Sequence, residues 1–187
     1  MNIHHGFESL PTIERPVVTI GSFDGVHLGH KALLGQVVEQ ARRVGGRSVV
    51  VTFSPHPREV LPRGGEFRLL TSLERKAELL EQIGIDELIV VEFTMEFAAL
   101  SSEEFVRDYL AGRLGMATLV VGYNHRFGHD RDVADDHFER LGERYGFGVV
   151  RALAYTLDGG KISSSVIRQL MAEGRQAEAE QLLGHKL

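Results

Sequence analysis

The sequence predicts an α/β fold, a doubly wound parallel sheet with helices on both faces, and three observations carry that reading. Short apolar runs rich in β-branched residues alternate with helix-length segments, which is the signature of successive βαβ units. Most of these runs are apolar throughout, as strands buried on both faces are. The run at 16–20 passes directly into glycines, at the carboxyl end of a strand where doubly wound sheets bind their ligands.

Taken in order, PVVTIGSF (16–23) supplies the first strand. A helix is predicted from about Leu28 to Val44, because Leu33, Leu34, Val37, Val38, Ala41 and Val44 recur at three- to four-residue spacing; Gly45 and Gly46 end it. RSVVVTF (47–53) reads as a strand, Leu73–Ile83 as a helix and ELIVVEF (87–93) as a strand. In SSEEF (101–105) Ser101 stands three residues before Glu104, a capping-box pattern at the head of a helix running from about Glu103. ATLVVGY (117–123) is the next strand, Val133–Tyr145 a helix, and GFGVVRALA (146–154) a final strand. ISSSVIRQLMAEG and RQAEAEQLLG read as two short helices closed by Gly174 and Gly184. The expectation is one domain over 1–187, with a core at about 14–158 and a helical segment at about 161–187.

Composition narrows the function classes. Apolar residues at 43% and charged residues at 25% are ordinary for a globular protein. A net charge of −5 without a basic tract argues against a main role on long nucleic acid, where a positive patch supplies most of the affinity. The absence of cysteine excludes disulfides, thiolate metal sites and cysteine nucleophiles. The first residues lack the pattern of a signal peptide, and no apolar run approaches the roughly 20 residues that span a bilayer. The expectation is a cytoplasmic protein with neither a nucleic-acid nor a membrane partner.

The chemistry concentrates after the first strand, in Gly21, Ser22, Phe23, Asp24, Gly25, Val26, His27, Leu28, Gly29 and His30. Glycines there let the backbone turn tightly and let a bulky ligand reach main-chain N–H groups. The helix that follows offers unpaired N–H groups and the positive end of its dipole to phosphate. His27 and His30, three apart, fall on one side of its first turn and can donate to phosphate oxygens, with protonation favoured by the anion itself. Alternatives at this point are an Asp24 that only caps the helix beside surface histidines, or a metal pair for which no third ligand stands nearby.

The pattern G-x-F-D-G-V-H-x-G-H resembles the H-x-G-H nucleotidyltransferase superfamily, and the F-D-G-V-H version is similar to the FMN adenylyltransferase module of bacterial FAD synthetases, the bifunctional riboflavin kinase/FMN adenylyltransferase family. TFSPHP (52–57), LSSEEFV (100–106), VVGYNHRFG (120–128) and KISSSVIR (161–168) resemble further motifs of that family in the same order. Two positions depart from the pattern: His125 stands where the family has Phe, and Ser165 where it has Thr.

The resemblance implies a Rossmann-like fold and transfer of AMP from ATP to FMN, giving FAD and pyrophosphate by direct in-line attack with Mg²⁺ on the phosphates. It implies that His27, His30 and Asn124 serve the ATP phosphates, that Gly122 and Arg126 line the nucleotide site, and that Pro55, His56 and Pro57 line the flavin side. No residue is assigned as a direct metal ligand. Ser163, Ser164 and Ser165 precede a helix, so serine N-capping explains at least one of them. Arg168, about one turn in, has the planar donor fork that suits phosphate, so Ser164 and Arg168 are taken as the second phosphate cluster. His129 and His137 have no such support. The kinase module that follows in relatives carries a P-T-A-N signature; none occurs here, so a chain without that domain is expected. Rival readings are another H-x-G-H transferase with a different phosphate acceptor, or a non-catalytic flavin- or nucleotide-binding module.

Overall fold

A computed structural model describes residues 1–61, 67–122, 134–153, 155–157 and 160–186, with only the backbone of Lys161. The chain runs β1 (Asn2–His5), β2 (Pro16–Ile20), α1 (Leu28–Val44), β3 (Arg47–Ser54), α2 (Pro57–Val60), α3 (Leu73–Ile83) and β4 (Glu87–Glu92). It continues through α4 (Met95–Ala98), α5 (Ser102–Phe105), a π-helical stretch at Val106–Arg113, β5 (Thr118–Val121), α6 (His137–Tyr145) and β6 (Gly148–Arg151). A two-residue hairpin, β7 (Thr156–Leu157) with β8 (Gly160–Lys161), leads into α7 (Ser164–Ala172) and α8 (Gln176–Leu183).

Six strands form one parallel sheet in the order β1-β4-β3-β2-β5-β6. From β2 the chain winds outward through β3 to β4, then returns to place β5 on the other side of β2. The crevice beyond the carboxyl end of β2 is therefore the topological switch point, where this architecture binds ligands. Successive side chains of β3 serve opposite faces, as strand geometry requires. Val49 and Val51 join Phe105, Leu110 and Phe138 on one face, while Val50 joins Leu34, Leu79 and Leu80 under α1 and α3 on the other. A third apolar cluster ties α7 and α8 to Leu70 through Ile167, Leu170 and Leu183.

The predicted helices at Leu28–Val44 and Leu73–Ile83 form over those residues, and Gly45 ends the first in the left-handed region at φ 61°. The capping box at Ser101 and Glu104 forms, but its helix widens after one turn into the π-helical stretch. Strand β1 was not predicted: its residues are largely exposed at the sheet edge, so its sequence carries no run of buried β-branched residues. The helix predicted from Val133 begins at His137; Val133 lies outside the described residues. No helix among the described residues is long and apolar enough to cross a membrane.

Candidate active site

The turn after β2 is bent into an uncommon shape. Phe23 and Val26 hold positive φ (45° and 38°), and Gly25 sits at φ 85°. For a β-branched residue such as Val26 that conformation costs on the order of 1–3 kcal/mol and persists only where surrounding contacts impose it. Those contacts are present. Gly25 N donates to Thr71 Oγ1 (3.0 Å), and the Asp24 carboxylate accepts from Leu70 N (2.9 Å) and Thr71 N (3.1 Å). Asp24 also pairs with Arg168 Nη2 and is almost fully buried. It therefore does not cap α1, the simpler role open to it in the sequence; it fastens the turn to the head of α3 and to α7.

The N-cap of α1 is His27, whose Nδ1 accepts from His30 N at 3.2 Å. With that lone pair occupied, the neutral ring carries its proton on Nε2. Burial pushes His27 down to about 4, so the ring is neutral at pH 7 despite the opposing pull of Asp24. The rings of His27 and His30 stack at 3.6 Å, 14° from parallel, and the Phe23 ring meets His30 edge-on. Two imidazolium ions would repel strongly at that separation. His27 thus offers an uncharged N–H donor beside the helix N-terminus.

Across the crevice, β3 ends at Ser54, and Ser54–Pro55 is a cis peptide bond. His56 caps the single turn of α2: its Nδ1 accepts from Arg58 N (3.0 Å), and its own N–H donates to Glu59 Oε2 (2.7 Å). Its ring is buried against Phe67, where burial, and to a lesser degree Lys76 and Arg168, lower it to about 4. Pro55 is exposed and Pro57 half-buried on either side. The loop, which the sequence suggests only as a stiff segment, is a capped turn.

From the C-terminal side, Ser163 caps α7 and Ser164 Oγ donates to the Asp24 carbonyl (2.8 Å), while Ser165 is exposed. Arg168 donates through Nε to the Arg68 carbonyl (2.8 Å) and lies 4.5 Å over the Phe67 ring. His185 Nε2 lies 2.9 Å from the Gly25 carbonyl. The structure therefore brings Gly21–Gly25, His27, His30, Ser164 and Arg168 to one crevice, with Ser164 and Arg168 bonded to the turn itself. Gly122, at the end of β5, is half-buried; Asn124, His125, Arg126 and His129 lie outside the described residues. His137 lies away from the crevice, its Nε2 2.7 Å from Ser102 Oγ.

Sequence reasoning missed Thr71, Phe67 and Lys76. Only Lys76 left a signal, a lysine among Leu73, Leu79 and Leu80 on the buried side of α3. Among the described residues no three His, Asp or Glu side chains are grouped to hold a metal ion. A cavity of about 730 Å³ opens beyond the ends of β1 and β4, lined by Phe7, Phe97, Leu100 and Tyr109, with Ser54 on its wall and Glu8 and Glu92 at its polar side.

Residues 10–166 match the family described as FAD synthetase. The bifunctional riboflavin kinase/FMN adenylyltransferase of Escherichia coli strain K12 is 36% identical over 181 residues, which is 97% of this chain and 58% of that protein. A FAD synthetase of Listeria monocytogenes is 37% identical over 170 residues, covering 90% of this chain and 68% of the relative. A solved Streptococcus pneumoniae structure, described as a macrolide-efflux protein, superposes with a TM-score of 0.85 at 28% identity, over 99% of this chain and 60% of that one. The chain thus spans little more than half the length of several of its relatives. A match over residues 10–166, which span the turn, the histidine pair and the proline loop that meet at the switch point, leads to one conclusion: the chain belongs to the FAD synthetase family.

Proposed function

We propose that the chain transfers AMP from ATP to FMN, giving FAD and pyrophosphate. An oxygen of the FMN phosphate attacks the α-phosphorus of ATP, and the bond to the bridging oxygen of the pyrophosphate breaks, so no protein nucleophile and no covalent enzyme intermediate is needed. The observation that carries this reading is the strained turn Gly21–Gly25 feeding the His27-capped helix at the switch point of the sheet. Helix N-terminal N–H groups and the His27 and His30 rings stabilise charge that grows on the phosphates during transfer. Ser164 and Arg168 hold the turn from the other side and complete the ATP site, together with Gly122, Asn124 and Arg126. The proline loop Pro55–His56–Pro57 orients FMN, and the neighbouring cavity, of a size common for small-molecule sites, receives the apolar edge of the flavin ring. Holding the two phosphates in line supplies much of the rate.

Mg²⁺ enters as part of the substrate, chelated to ATP. Such an ion keeps several waters and binds substrate phosphates with few protein ligands, which fits a crevice whose described residues form no carboxylate cage. When bound, it neutralises phosphate charge. The reading puts the protein in the cytoplasm.

The test is to mix the chain with FMN and Mg-ATP, and separately with riboflavin and Mg-ATP, and to resolve the flavins chromatographically. The first mixture should yield FAD, and FAD with excess pyrophosphate should return FMN and ATP, since one phosphoanhydride replaces another. Riboflavin has no phosphate to attack with, so the second should yield no FMN. Absence of FAD at every magnesium concentration would support a binding module instead.

A further inference from the structure

Lys76 is the sole lysine or arginine buried among the described residues, at 4% exposure. The Asp24 and Gly25 bonds to residues 70 and 71 clamp the head of α3 behind the phosphate turn, and Lys76 ends its first turn. From there Nζ reaches Thr52 Oγ1 at 3.3 Å, and that hydroxyl donates to the Ser22 carbonyl at 3.3 Å. The ammonium thus sits in the crevice between the carboxyl ends of β2 and β3.

A buried ammonium has three donors to satisfy, and among the described residues this one makes a single long bond. Burial lowers Lys76 below the ordinary lysine value, and the two carboxylates whose charges oppose that, Asp24 and Glu59, are engaged elsewhere: Asp24 with Arg168 and two backbone N–H groups, Glu59 with His56 N. Among the described residues neither lies within ion-pair distance of Nζ. Burying a cation so incompletely bonded is costly, and methionine at this position would pack among the same leucines without that cost.

We propose that Lys76 binds the phosphate of the acceptor, FMN, and so is a further catalytic residue; this rests on the adenylyl-transfer reading above. The acceptor rather than ATP is indicated because Nζ approaches the end of β3, the strand that becomes the proline loop of the flavin side. The phosphates of FMN and ATP repel as they approach, and a desolvated ammonium beside the attacking group opposes that repulsion where Coulomb terms are large.

The test compares wild type with Lys76→Met, Lys76→Gln and Thr52→Val. FMN and riboflavin affinities are read from flavin fluorescence, and thermal midpoints are recorded alongside. Riboflavin shares the ring system and ribityl chain but lacks the phosphate. Wild type should prefer FMN, and both Lys76 variants should lose that preference by about tenfold or more, with riboflavin affinity unchanged. The thermal midpoint of Lys76→Met should equal or exceed that of wild type. Thr52→Val, which removes the hydroxyl but keeps the charge, should retain most of the preference. The proposal is overturned if the ratio of affinities is unchanged in the Lys76 variants, if both flavins weaken equally, if Lys76→Met and Lys76→Gln fail to fold, or if Thr52→Val reproduces their effect. A wild type that separates FMN from riboflavin but makes no FAD would sink the transfer reading and leave the phosphate contact standing.

Discussion

His27 and His56 share an arrangement that ties local geometry to charge. Each caps a helix through Nδ1, each is buried, and each is held neutral with its value lowered to about 4. A histidine whose folded value lies below its unfolded one binds fewer protons when folded, so its contribution to stability is present above the unfolded value near 6.5 and is lost as pH falls toward 4. Each ring can withdraw up to about 3 kcal/mol over that window. The thermal midpoint should therefore drop steeply between about pH 6.5 and 4, and His27→Asn, which keeps a capping oxygen, should flatten the drop; an unchanged slope in that variant would show that His27 does not titrate this way. The sequence made the H-x-G-H spacing legible because local order alone defines it. It did not reveal that His27 is neutral or that its ring stacks on that of His30, since both depend on what packs over them, nor that Asp24 binds α3 and α7, since Leu70 and Arg168 are 46 and 144 residues away.

At the scale of elements, helices α1 and α3 were readable from periodicity because each buries one continuous stripe. Strand β1 and the π-helical stretch were not: an exposed edge strand has no apolar signature, and a π-helical stretch has no spacing in the sequence that separates it from an ordinary helix. Helices α7 and α8, the C-terminal helical segment in which the sequence already places Ser164 and Arg168, pack against the turn after β2. Leu183 is fully buried beside Gly25, Lys31 Nζ donates to the Gly184 carbonyl at 2.9 Å, and Ser164 and Arg168 bond to the turn after β2. Leu183→Ala should cost about 2–5 kcal/mol of stability, the range for truncating a buried leucine. It should also raise the KM for ATP, because the cavity it leaves loosens the wall of the turn. Denaturant titration and ATP kinetics on the one variant read both; a loss of stability with an unaltered KM would show that α8 supports the fold without supporting the site.

For the molecule as a whole, the parallel sheet was legible because its strands are buried on both faces, and the switch point followed once β5 was seen to return beside β2. That reversal brings the H-x-G-H turn, the proline loop and the head of α7 together from positions more than a hundred residues apart in sequence. The division of labour proposed for it, phosphate chemistry at the helix terminus and flavin recognition along β3, has a direct test. FAD formation is followed in a single turnover with saturating Mg-ATP and FMN, in wild type and in His30→Ala, with FMN affinity measured in parallel. If the histidine pair acts on phosphate charge in the transition state, the variant should form FAD roughly a hundredfold more slowly while its FMN dissociation constant stays within about twofold of wild type. Equal single-turnover rates, or a loss of rate matched by an equal loss of FMN affinity, would contradict it.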